Sequence, residues 1–299
     1  MDRFHLITVF VAVVDMQGFA GAARKLNISP PAVTRAINDL ETQLGVRLLT
    51  RTTRIVRVTD AGERYVQDCR RILAELADAD ESVAGMHSAP RGRLTLTAPV
   101  LFGGKHVTPI VTEYLSRYPE VSASCLFLDR IVSMLDEGVD VAVRIGELPD
   151  SSMQAVRVGQ VRRVICAAPS YLAQHATPEV PDDLLRHCIV SASGVTPTPE
   201  WRLIENGATR TVKLQPRLTT TTNDAALAAA VDGFGLTQLL SYQVAEQLRA
   251  GTLTTVLSEF EPPALPVHVV HREGRHGSQR VRAFLDLAIE RLRANPALR

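Results

Sequence analysis

Residues 19–45, FAGAARKLNISPPAVTRAINDLETQLG, constrain the fold more than any other stretch of the chain. Both flanks favour helix, yet Ser29, Pro30 and Pro31 stand in the middle, where no single helix survives. One helix must therefore stop and another start within a few residues. Residues 19–26 form the first, with Ala20, Ala22 and Ala23 small enough for close packing. Ser29 caps the second, and proline is tolerated in its first turn because those N–H groups have no intrahelical partner. The pre-proline restriction on Pro30 allows the start to slip to Pro31. Val33, Ile37, Leu40 and Leu44 then recur at helical spacing as one buried face, and Gly45 serves as the stop.

Two short helices around a tight turn make the helix-turn-helix pattern, whose second helix enters the DNA major groove. With Val33 and Ile37 inward, Pro31, Thr34, Arg35 and Asn38 face outward. Threonine meets a thymine methyl, arginine a guanine edge and asparagine an adenine edge, and the fresh helix N-terminus suits phosphate. An ordinary packed pair with a solvated face fits the same pattern. The next residues favour the DNA reading. Residues 46–49 and 55–58 are β-prone, and Arg51 and Arg54 sit between them in TRTTR, flanked by Arg47 and Arg57. That is a basic wing suited to phosphate or the minor groove. Charge agrees: residues 1–60 carry eight Lys/Arg against five Asp/Glu, or +3, while the rest carry 25 against 27, or −2.

With those residues in place, FAGAARKLNISPPAVTRAINDLETQLGVRLLTRTTRIVRVTDAGE resembles the winged helix-turn-helix of LysR-type transcriptional regulators. The shared positions are Ala22, Ala23, Leu26, Ser29, Val33, Ile37, Leu40, Glu41, Leu44, Gly45, Leu48, Arg51, Thr59 and Gly62. One position departs: the family commonly carries a base-reading glutamine where this chain has Pro30, which moves the weight of readout to Pro31, Thr34 and Arg35. The expected DNA-binding set is Ser29, Pro30, Pro31, Thr34, Arg35, Asn38, Arg51 and Arg54.

Thr59 caps a long helix running to about residue 87, roughly 42 Å at 1.5 Å per residue. Tyr65, Cys69, Ile72, Leu76, Ala79, Val83 and Met86 fall at alternating spacings of four and three, an apolar heptad seam. A seam between two domains has little of its own to cover, so it is expected to pair two copies; the resemblance implies the same. Residues 88–92, SAPRG, read as a hinge. The expected division is a DNA-binding domain at 1–59, a dimerisation helix at 60–88 and an effector-binding domain at 89–299.

From Arg93 onward, strand-like runs (RLTLTA, VSASCLFL, VDVAVR, VRRVICAA, HCIVSA, GLTQLL, LPVHVV) alternate with helix-like ones (KHVTPIVTEYLSRY, VSMLDEG, NDAALAAAVDG, YQVAEQLRAG, QRVRAFLDLAIERLRA). This succession predicts an α/β body with parallel strands, whose ligands bind beyond the carboxyl ends of strands. LTAPVLFGG, DEGVDVAVRIGEL and GFGLTQLLSYQVAEQLRAG resemble the family's effector domain. The resemblance implies the two-lobed fold of periplasmic solute-binding proteins, with lobe I at 93–163 and 266–299 and lobe II at 164–265. The expected fold class is thus α/β: an N-terminal all-α winged helix-turn-helix, a long linker helix and a C-terminal two-lobed α/β domain. Strand ends nominate Thr97, Pro99, Val100, Phe102, Asp129 and Arg144 on one lobe, and Ser191, Ser193 and Trp201 on the other. Thr222 and Asn223 open a helix whose free N–H groups favour a carboxylate. Arg144 reads equally as an ion-pair partner of Asp140 or Glu147.

Other chemistries find little support. GFGLTQ follows a helix and has Gln238 at the third glycine position of a dinucleotide loop, and GGKH lacks the remainder of a phosphate loop. His268, His271 and His276 lack metal-ligand spacing, since residues three apart on a strand face opposite ways. No nucleophile-elbow or zinc-protease motif occurs. Cys69, Cys125, Cys166 and Cys188 lie far apart and read as reduced thiols. Residues 6–14 followed by AGAA have the outline of a signal peptide, but Asp2 weakens its basic start. The same run serves as a buried helix through Phe4, Ile7, Phe10, Val11 and Val14. No stretch spans a membrane. An exported solute-binding protein conflicts with residues 19–58, and an enzyme lacks a convincing nucleophile or acid–base pair. The expectation is a cytoplasmic, non-enzymatic transcriptional regulator without cofactor. It would bind double-stranded DNA as a homodimer or homotetramer and respond to a carboxylate-bearing small-molecule effector.

Overall fold

The computed structural model describes residues 2–51, 56–84, 89–130, 132–149, 153–192, 200–272 and 278–299. The chain forms two compact units, Met1–Ser88 and Ala89–Arg299.

In the first unit, α1 (Arg3–Asp15), α2 (Phe19–Leu26) and α3 (Pro30–Leu44) enclose a core of Leu6, Phe10, Ala22, Val33, Ile37 and Leu40. The buried face of α1 is Leu6, Ile7, Val9, Phe10 and Val13; Phe4 is exposed and Val11 and Val14 are half-buried. That corrects the expected face, because α1 meets three other helices and its burial follows their positions, not its own best periodicity. The break resolves as follows. Asn27 turns left-handed at φ 52° and ends α2. Ser29 is extended, and its hydroxyl accepts from the Ala32 N–H at 3.4 Å. The helix starts at Pro30 itself and does not slip to Pro31. Ala32 and Val33 N–H groups both return to the Ser29 carbonyl, at 2.9 and 3.2 Å, and that closed first turn outweighs the local pre-proline bias. Gly45, at φ 68°, ends the helix.

A hairpin follows, β1 (Leu49–Arg51) against β2 (Val56–Val58), with Leu49 opposite Val58. The Glu41 carboxylate accepts the Leu48 and Leu49 N–H groups at 2.8 and 3.0 Å, pinning the hairpin to α3. The Thr59 hydroxyl donates to the Arg47 carbonyl at 2.9 Å and accepts from Gly62 N–H at 3.0 Å, capping α4 (Asp60–Ala84). At 25 residues, α4 is about 37 Å long. The front of its apolar seam stays at home: Cys69 is fully buried in the head's core, and Tyr65 packs on Phe10 at 5.9 Å and receives Arg3. Neither belongs to an open seam, as the sequence had implied. Ile72 and Leu76 are exposed apolar residues; the side chains of Ala79 and Val83, and all of Met86, lie outside the described residues.

The second unit has two five-stranded sheets. The first runs β4-β3-β5-β14-β6, from β3 (Gly92–Ala98), β4 (Val121–Phe127), β5 (Val141–Ile145), β6 (Met153–Val161) and β14 (Leu265–Arg272). It packs on α6 (Thr108–Arg117) and α10 (Gln279–Ala294) around Leu94, Leu96, Tyr114 and Phe284. The second runs β11-β8-β12-β7-β13, from β7 (Arg163–Ala167), β8 (Ile189–Ala192), β11 (Leu218–Thr220), β12 (Leu236–Leu240) and β13 (Thr254–Val256). Its layers are α7 (Pro169–His175), α8 (Asn223–Val231), α9 (Ser241–Arg249) and a hairpin of β9 (Glu200–Glu205) and β10 (Ala208–Lys213).

The sheets are mixed, not parallel: β14 runs antiparallel to β5 and β6, and β7 antiparallel to β12 and β13. The chain crosses between sheets twice, at Arg162 and ahead of Leu265, and each crossover reverses strand direction. VSMLDEG is a chain of turns, not a helix; Val132, Met134 and Val139 are drawn down onto Ala142 and Val270, which pulls the segment out of helical register. The β9–β10 hairpin was not expected, although its Asn206-Gly207 turn, at φ 52° and 77°, is a strong local hairpin signal.

Candidate DNA-reading surface and effector cleft

On α3, Ser29, Pro30, Pro31, Arg35 and Asn38 are exposed and Thr34 is half-buried. They lie on one side of the helix, opposite Val33, Ile37 and Leu40. No hydrogen bond or ion pair engages Arg35 among the described residues. Arg47 and Arg57 are exposed beside the hairpin; Arg54 and the Arg51 side chain fall outside the described residues. No helix among the described residues is long and apolar enough to cross a membrane.

In the second unit a cleft of about 1070 Å³ opens between the two sheets. Of the nominated residues, Thr97, Pro99, Asp129, Arg144, Ser191, Trp201 and Asn223 line it. Three do not. Phe102 is fully buried, its ring edge-on to Tyr242 at 5.2 Å, because the short helix α5 (Val100–Phe102) turns it into the core behind the cleft. Val100 points to solvent while its N–H holds the Asp129 carboxylate at 3.0 Å. Thr222 is spent on Asp224: its hydroxyl, then the Asp224 and Ala225 N–H groups, hold that carboxyl below the usual range. The Asp224 carboxyl thus competes at the N-terminus of α8 with the ligand carboxylate expected there. Ser193 is outside the described residues.

Arg144 answers neither Asp140 nor Glu147. Its guanidinium donates to the Val132 carbonyl, and burial pushes its pKa down against a smaller opposing pull from Glu137. Asp140 instead accepts the Thr95 N–H at 2.7 Å and faces Arg280 at 3.8 Å. Thr97, also a cleft residue, donates its hydroxyl to the Leu126 carbonyl at 2.7 Å.

Helix α9 ties the sheets together behind the cleft. Its Val244 joins the second sheet's core, while Tyr242 enters the first sheet's core. The sequence boundaries had counted all of 164–265 with lobe II; an amphipathic helix with two apolar sides packs on both. Lys105 and Glu246 pair across this junction at 3.2 Å, and Arg162 pairs with Glu261 at 2.8 Å where the chain crosses over. His106, in the helical turn after α5, packs on Phe102 at 4.9 Å and Tyr242 at 5.7 Å. The Asn295 carbonyl oxygen is taken by the Ala297 N–H, so its amide N–H faces His106 Nδ1 at 2.9 Å. The ring proton is therefore on Nε2, buried and without a partner among the described residues. Burial, then Lys105, holds His106 below its usual 6.5. An unfolded histidine binds a proton as pH falls through about 6.5 while the folded ring resists, so stability is present above that pH and declines below it. Urea midpoints measured from about pH 7.5 to about pH 5.5 should fall less for His106→Gln than for the wild type; parallel curves would disprove the assignment.

The sequence reading missed Arg163, Arg202 and Gln238, which line the cleft. Gln238 had been considered only as the residue that spoils a dinucleotide loop, and Arg202 hid in the overlooked hairpin. Among the described residues no group of three or more His, Cys, Asp or Glu is placed to hold a metal. His268 and His271 stand three residues apart on β14, on opposite faces of the strand, and His276 is outside the described residues.

The two units together define a class: a winged helix-turn-helix head joined to a two-sheet domain with a ligand-sized cleft. Residues 4–63 match the bacterial regulatory helix-turn-helix of the lysR family, and residues 87–293 match the LysR substrate binding domain. An HTH-type transcriptional repressor of Pseudomonas aeruginosa is 32% identical over 300 residues, covering 100% of this chain and 95% of its own. The transcriptional activator AaeR of Escherichia coli is 31% identical over 275 residues, 91% of this chain and 88% of its own. The solved structure of CrgA, a LysR-type regulator from Neisseria meningitidis, superposes with a TM-score of 0.63 at 29% identity, covering 97% of this chain and 99% of that one. The chain belongs to the LysR family. It is a DNA-binding transcriptional regulator with an effector-binding domain, and not an enzyme.

Proposed function

We propose that residues 1–59 read a specific operator through Pro31, Thr34, Arg35 and Asn38, with Ser29 and Pro30 against the backbone and Arg51 and Arg54 gripping phosphate. Residues 60–88 pair two chains, and residues 89–299 bind a small carboxylate-bearing effector whose presence changes how the paired heads sit on DNA. The observation that carries the reading is the unengaged Arg35 beside the open, serine-capped start of α3. Paired recognition helices would meet half-sites a whole helical turn apart. The ligand acts by binding two states of the cleft unequally, since only differential affinity shifts an equilibrium. Because its place of action is DNA, the regulator works in the cytoplasm, as a homodimer or homotetramer.

The first test is fluorescence anisotropy of the purified protein on DNA upstream of its own gene and on a scrambled duplex, at one fixed moderate salt. A preference of about tenfold or more, ~1.4 kcal/mol, supports the reading; absence of binding even at low salt defeats it. Pairing is tested by placing Asp at both Ile72 and Leu76. The double variant should sediment as a monomer and lose about 10²-fold or more in operator affinity with the second head. A dimer of undiminished strength would refute the role of α4.

A further inference from the structure

The cleft offers more hydrogen-bond donors than the described residues satisfy. Arg163 and Arg202 both line it, and neither takes part in an ion pair or hydrogen bond among the described residues. They crowd each other: loss of solvent around Arg163, and then the Arg202 charge, push the Arg163 pKa down. Gln238 adds a side-chain N–H that is buried and has no partner among the described residues. It lies opposite Ile165 in the sheet, two residues along from Arg163 and on the same face. Arg163 and Arg202 remain exposed to solvent, so what lacks an answer here is their mutual repulsion and the buried Gln238 donor, which is costly without an acceptor.

On the other sheet, Arg144 is half-buried, with the Val132 carbonyl as its one acceptor among the described residues. Among the described residues the cleft carboxylates Asp129, Glu147 and Glu200 form no ion pair with these arginines, and Glu137 acts on Arg144 only at a distance. Glu200 reaches Lys213 at 4.0 Å, Asp129 accepts from Val100, and Glu137 is engaged by Arg130 through two bonds of 2.7 and 2.9 Å.

Resting on the reading of this cleft as the effector site, we propose that the effector is a dianion. One anionic group is held by Arg163, Arg202 and Gln238 on the second sheet, and the other by Arg144 on the first. A planar carboxylate suits paired guanidiniums because each presents a fork of N–H donors. Such a ligand spans the two sheets, one anionic group relieving the repulsion between Arg163 and Arg202 and the other answering Arg144. A monoanion satisfies one pole and leaves the other desolvated.

The experiment is calorimetric titration of the full-length protein with α,ω-dicarboxylates from succinate to suberate, each beside its monocarboxylate and its neutral diamide. At least one dicarboxylate should bind saturably, about tenfold or more tighter than its monocarboxylate. Arg163→Gln combined with Arg202→Gln, checked for folding by circular dichroism, should weaken it about tenfold or more. Arg144→Gln should erase the advantage of the diacid over the monoacid. Equal binding by monoacid and diacid, undiminished binding in the double variant, or no saturable binding in the series each overturns the proposal. Operator anisotropy with wild-type protein separates the two levels. If neutral or cationic metabolites shift DNA occupancy where the diacids do not, the dianion is wrong and the effector cleft survives. If no small molecule of any charge shifts occupancy, the cleft reading fails with it.

Discussion

Alanine at Gly62 is expected to cost the head about 3 kcal/mol or more, because the added carbon overpacks a backbone contact. A Cβ there would lie 2.2 Å from the Leu48 carbonyl oxygen and 2.8 Å from Val58 Cγ1. Neither is the free end of a flexible chain. Gly62 occupies the first turn of α4, where its N–H takes the Thr59 cap and its bare α-carbon lets the hairpin close on the helix. Alanine is the better helix former by about 1 kcal/mol, so the two effects oppose and the clash should win. Urea unfolding followed by circular dichroism should show an earlier first transition. An unchanged or later transition would mean that the hairpin stands away from α4. Gly45→Ala is the comparison: nothing lies within 4 Å, so only the φ of 68° is penalised, at about 1–2 kcal/mol.

Arg35→Ala should lose about 1–3 kcal/mol for each half-site and relax the preference at one base pair in it. Arg54→Ala should instead weaken all sequences alike and lower the salt slope by about one. The two variants differ in kind because a base edge carries sequence information and a phosphate does not. Anisotropy on the operator, a single-base variant and a scrambled duplex, at several salt concentrations, reads both. If Arg35→Ala binds all three duplexes as the wild type does, Arg35 does not read bases.

What was legible in the sequence was what a few neighbouring residues decide among themselves. Ser29 with two prolines favours a helix start on local grounds, since the cap, the fixed proline φ and the orphaned N–H groups all lie within one turn. Asn27, Gly45 and Thr59 are likewise local, and the Asn206-Gly207 turn was equally readable though overlooked. The LysR-like pattern carried the family and the overall architecture because its positions are these local devices plus their fixed spacing.

The tertiary structure decided everything that depends on residues far apart in the chain. Helical periodicity allows more than one apolar face on α1, and contact with α2, α3 and α4 selected the one bearing Leu6 and Val13. The α4 seam is a single pattern in the sequence, yet its front half is consumed by Phe10 and Arg3, more than fifty residues upstream. Strand direction followed from two crossovers that reverse the chain, which no strand's own residues record. Phe102 left the cleft because Tyr242 reaches it from α9, and Arg163 gained its neighbour Arg202 from the β9–β10 hairpin. Caps and turns are settled by bonds within a turn of chain. Faces, sheets and clefts are settled by which distant surfaces bury each other, and that burial is a property of the assembled fold.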